Sequence, residues 1–197
     1  MESLRQFDAV AVPLGGINVD TDQIVPARYL QKPRSCDFGE FLFRDVRFDA
    51  DGTPKGGFPL DDPAYAHAGV LVAGRNFGCG SSREHAVWAL YDGGFRAVIA
   101  PSFGDIFRGN ALKNGLLPVQ LDEDVVEALL EDLRHAPGAR IAIDLVEQVA
   151  VLPGGTKKTF IVDSFARHCL LEGIDELDYT LSQVERIRAF ERERIDG

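Results

Sequence analysis

Short apolar runs alternate with helical patterns through most of the chain. Four runs predict buried strands, because each is continuous, apolar and bounded by polar or turn residues. They occupy residues 10–14, 70–73, 97–100 and 116–119. Patterns that predict helices lie at 86–90, within 101–115 and at 125–133. Strands that alternate with helices predict an α/β fold built in layers.

The pattern changes in the last third of the chain. Residues 139–152 and 159–162 flank a Pro-Gly-Gly-Thr sequence at 153–156, which predicts a hairpin between two strands. A short helix is predicted over residues 165–171, and Gly173 is expected to end it because glycine readily adopts the left-handed conformation found there.

A longer, highly charged helix is predicted over residues 175–195. Its apolar residues recur at helical spacing, so we expect this stripe to pack against the rest of the chain rather than to serve a functional role. The stripe consists of Leu177, Leu181, Val184, Ile187 and Phe190.

Residues 31–69 follow no helical or strand pattern and are rich in glycine and proline. Such a composition predicts loop rather than core. Long loops in compact domains are often functional, so this segment is a candidate for contact with a ligand.

Composition limits the class of protein. The 197 residues are 45% hydrophobic, enough for a substantial core, and we expect a single domain over residues 1–197. The formal net charge of −10 argues against nucleic acid as a partner, because no basic patch could dominate that field. No apolar run approaches the ~20 residues that a membrane span needs, and no signal peptide is recognisable.

The cysteines favour a reducing compartment. Cys36, Cys79 and Cys169 are odd in number, widely spaced and without a Cys-x-x-Cys pair, so we expect no disulfide framework and a cytoplasmic location. Their spacing is also no iron–sulfur signature, and we expect no metal site. Cys79 lies in a glycine turn, where a nucleophile is one interpretation and a small residue that fits the turn is the preferred one.

The most informative stretch is residues 74–90. It passes from the apolar run through three glycines into a helical pattern, and Ser81 with Glu84 three residues later predicts a capping box at the helix start. Glycine-turn N–H groups and a helix N-terminus favour anions, and Arg83 adds positive charge there. The alternative is that Ser81 is only an N-cap; it is disfavoured because a cap needs neither Arg83 nor Ser82.

Known anion-binding motifs do not match this stretch. Arg83 stands where the dinucleotide fingerprint needs its last glycine, no Gly-Lys-Ser/Thr tripeptide is present, and the serines do not form a Gly-x-Ser-x-Gly elbow. The segment Gly-Ser-Ser-Arg-Glu-His at residues 80–85 instead resembles the swivelling domain of the aconitase superfamily.

Further segments carry the same resemblance. Asp-Thr-Asp at residues 20–22, Phe-Gly-Asp-Ile-Phe at 103–107 and Asn-Gly-Leu-Leu-Pro-Val at 114–119 are similar to the small subunits of isopropylmalate isomerase. The resemblance implies an α/β swivelling β/β/α domain, with a mixed sheet and flanking helices.

The resemblance also implies roles for individual residues. It implies that Ser81 is the catalytic base, and that Ser82, Arg83 and Gly80 contact a substrate carboxylate. Asp22 maps to an acidic residue beside the pocket, where a carboxylate would orient an arginine or the catalytic hydroxyl.

Within residues 31–69, the resemblance implies a substrate-facing segment. Arg28, just before this segment, and Lys32 and Arg34 within it are candidate substrate contacts, and the alternative for each is a solvated surface cation. Arg34 is preferred, because members of the superfamily carry an arginine near this distance from the aspartate.

The implied activity is a hydro-lyase reaction, the exchange of 2-isopropylmalate and 3-isopropylmalate in leucine biosynthesis. The chain would bind no cofactor itself. A four-iron, four-sulfur cluster is expected on a large subunit, in a heterodimer or heterotetramer that acts on a small dicarboxylate. Two alternatives stay open: the small subunit of a related hydro-lyase, such as homoaconitase or a methylmalate (citramalate) dehydratase, and a non-catalytic anion-binding regulatory domain.

Overall fold

A computed structural model describes residues 1–195, which form seven strands and eight α-helices. The strands are β1 (Gln6–Pro13), β2 (Val70–Val72), β3 (Ala97–Ala100), β4 (Leu117–Gln120), β5 (Arg140–Asp144), β6 (Val149–Val151) and β7 (Lys157–Thr159). The helices are α1 (Thr21–Ile24), α2 (Arg44–Arg47), α3 (Glu84–Asp92), α4 (Asp105–Lys113), α5 (Glu123–His135), α6 (Ser164–Glu172), α7 (Glu176–Ser182) and α8 (Val184–Ile195).

One mixed sheet organises the chain, in the order β4-β3-β2-β1-β5-β6-β7. The pairs from β1 to β4 are parallel, and those from β1 through β5 and β6 to β7 are antiparallel. The predicted α/β fold with a mixed sheet is therefore confirmed. The predicted strand over 139–152 is wrong in one respect: a turn after β5 divides it into two.

The apolar runs are continuous because the parallel strands are covered on both faces. Leu71 packs with α3 and α4 on one face, whereas its neighbours Val70 and Val72 pack with α5 and α6 on the other. All three are fully buried. The parallel sheet thus holds the strand ends at fixed positions between two apolar layers.

Residues 31–69 contribute more to the core than their composition predicts. They contain only short helical turns and α2, yet Phe38, Leu42 and Phe43 are buried in the same cluster as α3. The expectation of loop rather than core is therefore only half correct. Sparse aromatic residues anchor this segment, and a periodicity pattern does not detect single anchors.

The C-terminal region differs from the prediction. The expected single helix is broken at Gln183, between α7 and α8. Its apolar stripe does not pack as expected, since Leu177 is 66% exposed and Phe190 57% exposed. Across residues 1–195, no helix combines the length and the apolarity that a membrane crossing requires.

The parallel strands deliver their following loops to one edge of the sheet, because the carboxyl ends of parallel strands lie together. We call residues 14–20, after β1, the first site loop, and residues 73–83, after β2, the second site loop. Both contain residues that the sequence marks as candidates for chemistry.

Candidate active site

The two site loops run side by side. Gly78 N donates to Val19 O over 2.7 Å, Thr21 N donates to Cys79 O over 3.0 Å, and Asp20 and Cys79 form a parallel β-bridge. These backbone bonds extend the pairing of β1 with β2 into the loops. The segment from Cys79 to Arg83 is therefore placed directly against the start of α1.

Glycine is required where the second site loop turns. Gly78 has φ +72°, and a Cβ atom there would lie 2.2 Å from the Phe107 ring on α4. Gly80 has φ +90° and is exposed. A side chain at Gly78 would push the loop away from α4. Because glycine allows the close turn, the hydroxyl groups of Ser81 and Ser82 that follow it lie at the edge of the sheet.

The predicted capping box of Ser81 and Glu84 is wrong. Helix α3 begins at Glu84, and its N-cap is Arg83, which makes no side-chain cap bond. Both partners are engaged elsewhere: the Ser81 carbonyl accepts a bond of 2.9 Å from Thr21 Oγ1, and the Glu84 carboxylate accepts one of 2.7 Å from Asn114 Nδ2. Tertiary contacts therefore outweigh the local capping pattern.

The hydroxyl groups of Ser81 and Ser82 are exposed on this edge. Within residues 1–195, Ser81 is bonded through its carbonyl, and neither serine Oγ has a hydrogen-bond partner. The interpretation of Ser81 as an N-cap is thereby contradicted. Both hydroxyls stand just before the positive end of α3, open to a ligand.

Arg83 and Asp22, predicted from separate parts of the sequence, form an ion pair. Arg83 Nη1 donates to Asp22 Oδ1, and the arginine side chain is only 16% exposed. A guanidinium group has five N–H donors, so this contact leaves others for a carboxylate of a ligand. The aspartate fixes the arginine beside the two serine hydroxyls, and this arrangement can hold an acidic small molecule.

Arg34 lies at the other end of α3. Its Nη1 and Nη2 atoms donate to Oδ2 and Oδ1 of Asp92, each over 2.9 Å, and its guanidinium lies 5.3 Å from the Trp88 ring centroid. Arg28 is likewise paired, with Asp45. The structure therefore brings Ser81, Ser82, Arg83 and Asp22 together but gives Arg34 a different set of contacts.

His85, next to this segment, is directed inward from α3. Burial lowers the pKa of His85 below its usual range, although a hydrogen bond to the Leu30 backbone partly offsets the effect. Its ring packs against Trp88 and Phe38, with centroids 4.5 Å and 5.4 Å away. Burial thus favours the neutral form of His85, whose ring belongs to the aromatic packing beside α3.

This chain's own residues do not fit an iron–sulfur cluster. Cys36 and Cys79 are half-buried, Cys169 is buried, and all three are free thiols. Within the described part of the chain, no group of three or more His, Cys, Asp or Glu side chains is arranged to hold a metal ion. The donor set of three thiolates that such a cluster needs is not assembled here.

Two functional candidates escaped the sequence interpretation. Thr21 was considered only as part of the Asp-Thr-Asp segment, whereas its hydroxyl donates a hydrogen bond to the Ser81 carbonyl. Asp92 carried no motif and lies 58 residues from Arg34. No local signal identifies either residue, since Thr21 stands between Asp20 and Asp22 and Asp92 belongs to no motif.

Comparisons with known proteins identify relatives of this chain. Residues 1–124 match the model of the aconitase C-terminal domain. The chain is 47% identical, over 98% of its length and 96% of the relative, to the 3-isopropylmalate dehydratase small subunit of Paramagnetospirillum magneticum. It is 49% identical, over 97% and 95%, to the protein of the same name from Chloroflexus aurantiacus.

A solved structure shows the same similarity. The crystal structure of 3-isopropylmalate dehydratase from Methanocaldococcus jannaschii superposes with a TM-score of 0.66 at 28% sequence identity. The match covers 94% of this chain and 99% of that one. The similarity therefore extends from sequence to the arrangement of strands and helices.

Proposed function

This chain belongs to the aconitase C-terminal domain family, and from that premise we propose that it is the small subunit of a 3-isopropylmalate dehydratase. Such an enzyme interconverts 2-isopropylmalate and 3-isopropylmalate by removing water and adding it back. The observation that carries the proposal is near-full-length similarity to curated small subunits at 47% and 49% identity. The Ser81–Arg83 segment held against Asp22 supports it, because it offers an oxygen base beside a cation for a carboxylate.

Ser81 is the proposed base. A serine hydroxyl is a weak acid, so its oxygen can take a proton from carbon only where positive charge stabilises the alkoxide. Arg83 and the N-terminus of α3 supply that charge. Because no protein group binds the Ser81 hydroxyl within residues 1–195, the oxygen is available to substrate.

Arg83 is the proposed carboxylate ligand. The planar guanidinium suits a bidentate contact with a carboxylate, and Asp22 restricts its orientation from the opposite side. Ser82 adds a hydroxyl donor on the same edge. A substrate carboxylate bound there would present its neighbouring carbon to Ser81.

The proposed reaction balances as an elimination followed by an addition. Ser81 Oγ, as the alkoxide, receives the proton from one carbon and the C–O bond on the adjacent carbon breaks. The departing hydroxide takes a proton from solvent and leaves as water. The product is an alkene with both carboxylates retained. Water then adds its hydroxyl to the carbon that lost the proton, the proton held by Ser81 goes to the carbon that lost the hydroxyl, and this exchange gives the isomer.

A partner subunit completes the proposed enzyme. The residues of this chain do not fit an iron–sulfur cluster, so we assign a four-iron, four-sulfur cluster to a large subunit, where it would act as a Lewis acid. The two chains would form a heterodimer or heterotetramer with the substrate between them. The cytoplasmic location stays a prediction.

Reconstitution tests this proposal. The chain is combined anaerobically with the large subunit of a 3-isopropylmalate dehydratase, and kcat/KM is measured for 3-isopropylmalate, homoaconitate and citramalate. We expect 3-isopropylmalate to be the best substrate. A preference for either other diacid would make the chain a subunit of a related hydro-lyase. Complex formation without turnover of any of the three would support a regulatory role.

A further inference from the structure

The carboxylate of Asp92 holds residues 34–38 at two points. It accepts both Arg34 bonds of 2.9 Å, and Oδ2 also accepts a bond of 3.0 Å from Phe38 N. The Asp92 side chain is 14% exposed, whereas that of Arg34 is 46% exposed. A partly buried carboxylate with three charge-assisted bonds holds its partners far more firmly than a surface ion pair does.

Close packing surrounds this anchor. Phe38 is fully buried and meets the rings of Trp88 and His85 edge-on, at 5.4 Å from each. At Gly39 a Cβ atom would lie 2.9 Å from Gly93 N, so the backbone rests directly on the end of α3. These contacts hold the segment that we call the anchored loop, residues 34–39, against α3.

Helix α3 connects the anchored loop to the candidate active site. The helix starts one residue after Arg83 and ends at Asp92. At 1.5 Å per residue these positions lie about 13 Å apart along one rigid element. The Phe38 ring also meets His85 in the first turn of α3, with centroids 5.4 Å apart, so the anchored loop packs along the helix toward the Ser81–Arg83 segment.

We propose that Asp92 is a positioning residue of the substrate site, which fixes the anchored loop relative to Ser81 and Arg83 and so sets substrate affinity and selectivity. In this proposal Arg34 acts through Asp92, which accepts one bond from each of its two terminal nitrogens. The claim that Asp92 sets substrate affinity and selectivity rests on the proposed function. The claim that Asp92 holds the anchored loop in place does not.

The first arm of the test needs no activity. Trp88 is the only tryptophan of the chain and lies under both Arg34 and Phe38. Asp92→Asn keeps the shape of the side chain but removes its charge, and Arg34→Ala removes the partner. In the isolated chain we expect both variants to shift Trp88 emission to the red and to increase its quenching by acrylamide. Unchanged Trp88 fluorescence in both variants would overturn the proposal.

The second arm measures kinetics in the reconstituted pair of subunits. For Asp92→Asn we expect KM for 3-isopropylmalate to rise about tenfold with kcat nearly unchanged, because a weakened loop costs binding that is equal in ground and transition states. Arg34→Ala should have the same effect, and the double variant should be no worse than either single variant. Asp8→Asn, which breaks an exposed pair with Arg140 on the antiparallel side of the sheet, is the control and should leave KM unchanged.

The outcomes separate the two proposals. A wild-type pair that does not turn over 3-isopropylmalate contradicts the proposed function, while the fluorescence arm still decides whether Asp92 holds the loop. An active wild type with unchanged KM in Asp92→Asn overturns only the positioning role. If Arg34→Ala raises KM further in the Asp92→Asn background, Arg34 contacts the substrate itself and the inference is wrong.

Discussion

Thr21 Oγ1 donates a hydrogen bond of 2.9 Å to the carbonyl oxygen of Ser81. Within the described part of the chain, Thr21 is the one buried polar residue, at 2% exposure. The bond joins the start of α1 to the end of the second site loop, across 60 positions of sequence. The placement of the proposed base therefore depends on a hydroxyl from the Asp-Thr-Asp segment.

Replacing Thr21 by valine should loosen Ser81. Valine has nearly the same shape but no donor, so a carbonyl near the core loses its partner at a cost of about 1–3 kcal/mol. We expect the free energy of unfolding to fall by that order and kcat of the reconstituted pair to fall with it. Urea unfolding measures the free energy of unfolding, and steady-state kinetics of the reconstituted pair measures kcat.

The conservative variant Thr21→Ser is the matched control, since it keeps the hydroxyl. It should restore most of kcat. If Thr21→Val and wild type have equal kcat, the bond stabilises the fold without positioning the base.

Replacing Arg83 by lysine keeps the positive charge but removes the planar guanidinium group, which can donate to two oxygens at once. Lysine cannot bind Asp22 and a substrate carboxylate as a planar guanidinium does, so we expect kcat/KM to fall by roughly tenfold or more. The stability should change little, because the partner Asp22 is largely exposed. Kinetics and thermal unfolding of the variant test both statements; kcat/KM within twofold of wild type would remove Arg83 from the substrate site.

The stability of the chain should depend on pH through His85. Burial lowers the pKa of His85, so the folded chain holds it neutral while the unfolded chain protonates it near its ordinary value, about 6.5. The unfolded state then binds more protons as pH falls below about 6.5, and stability is lost down to the lowered pKa. Above about pH 6.5 both states are neutral and the effect vanishes.

The measurement is the melting temperature at pH 7.5 and 5.5. We expect His85→Gln to show a smaller loss between these two pH values than wild type. His135 is exposed, so His135→Gln serves as the control and should keep the wild-type dependence. An equal loss in His85→Gln and wild type would mean that other groups account for it.

The isolated chain should bind no iron–sulfur cluster. Its three cysteines lie in separate environments and are not assembled as ligands in the described residues. After anaerobic incubation with iron and sulfide, followed by desalting, metal analysis should find far less than one cluster per chain. A stoichiometric cluster would show that the site is not divided between two subunits.

The parallel half of the sheet was predictable from the sequence because its strands are buried on both faces. Leu71 with Val70 and Val72 forms a continuous apolar run for that reason. Gly173 ends its helix in the left-handed conformation as predicted, since helix ends depend on local backbone conformation. Where short-range physics decides the structure, the local pattern is enough.

Long-range contacts decide the features that the sequence did not reveal. The capping box at Ser81 and Glu84 fails because Thr21 and Asn114 bind these two residues instead. Arg34 pairs with Asp92, a partner that no local pattern indicates. Asp22 pairs with Arg83. Its role in orienting an arginine toward substrate, which came from family resemblance rather than from periodicity, stays a prediction.

The most direct test of the account is turnover by Ser81→Ala in the reconstituted pair, with Ser82→Ala as the control. Ser81 caps no helix, so its replacement should leave the melting temperature and subunit association close to wild type. As the base, its loss should lower kcat by more than the ~10²–10³-fold typical of a single oxyanion donor. Ser82→Ala should raise KM and retain turnover. If the reconstituted enzyme with Ser81→Ala keeps about a tenth of the wild-type kcat, the loss is far smaller than that range and the base lies elsewhere.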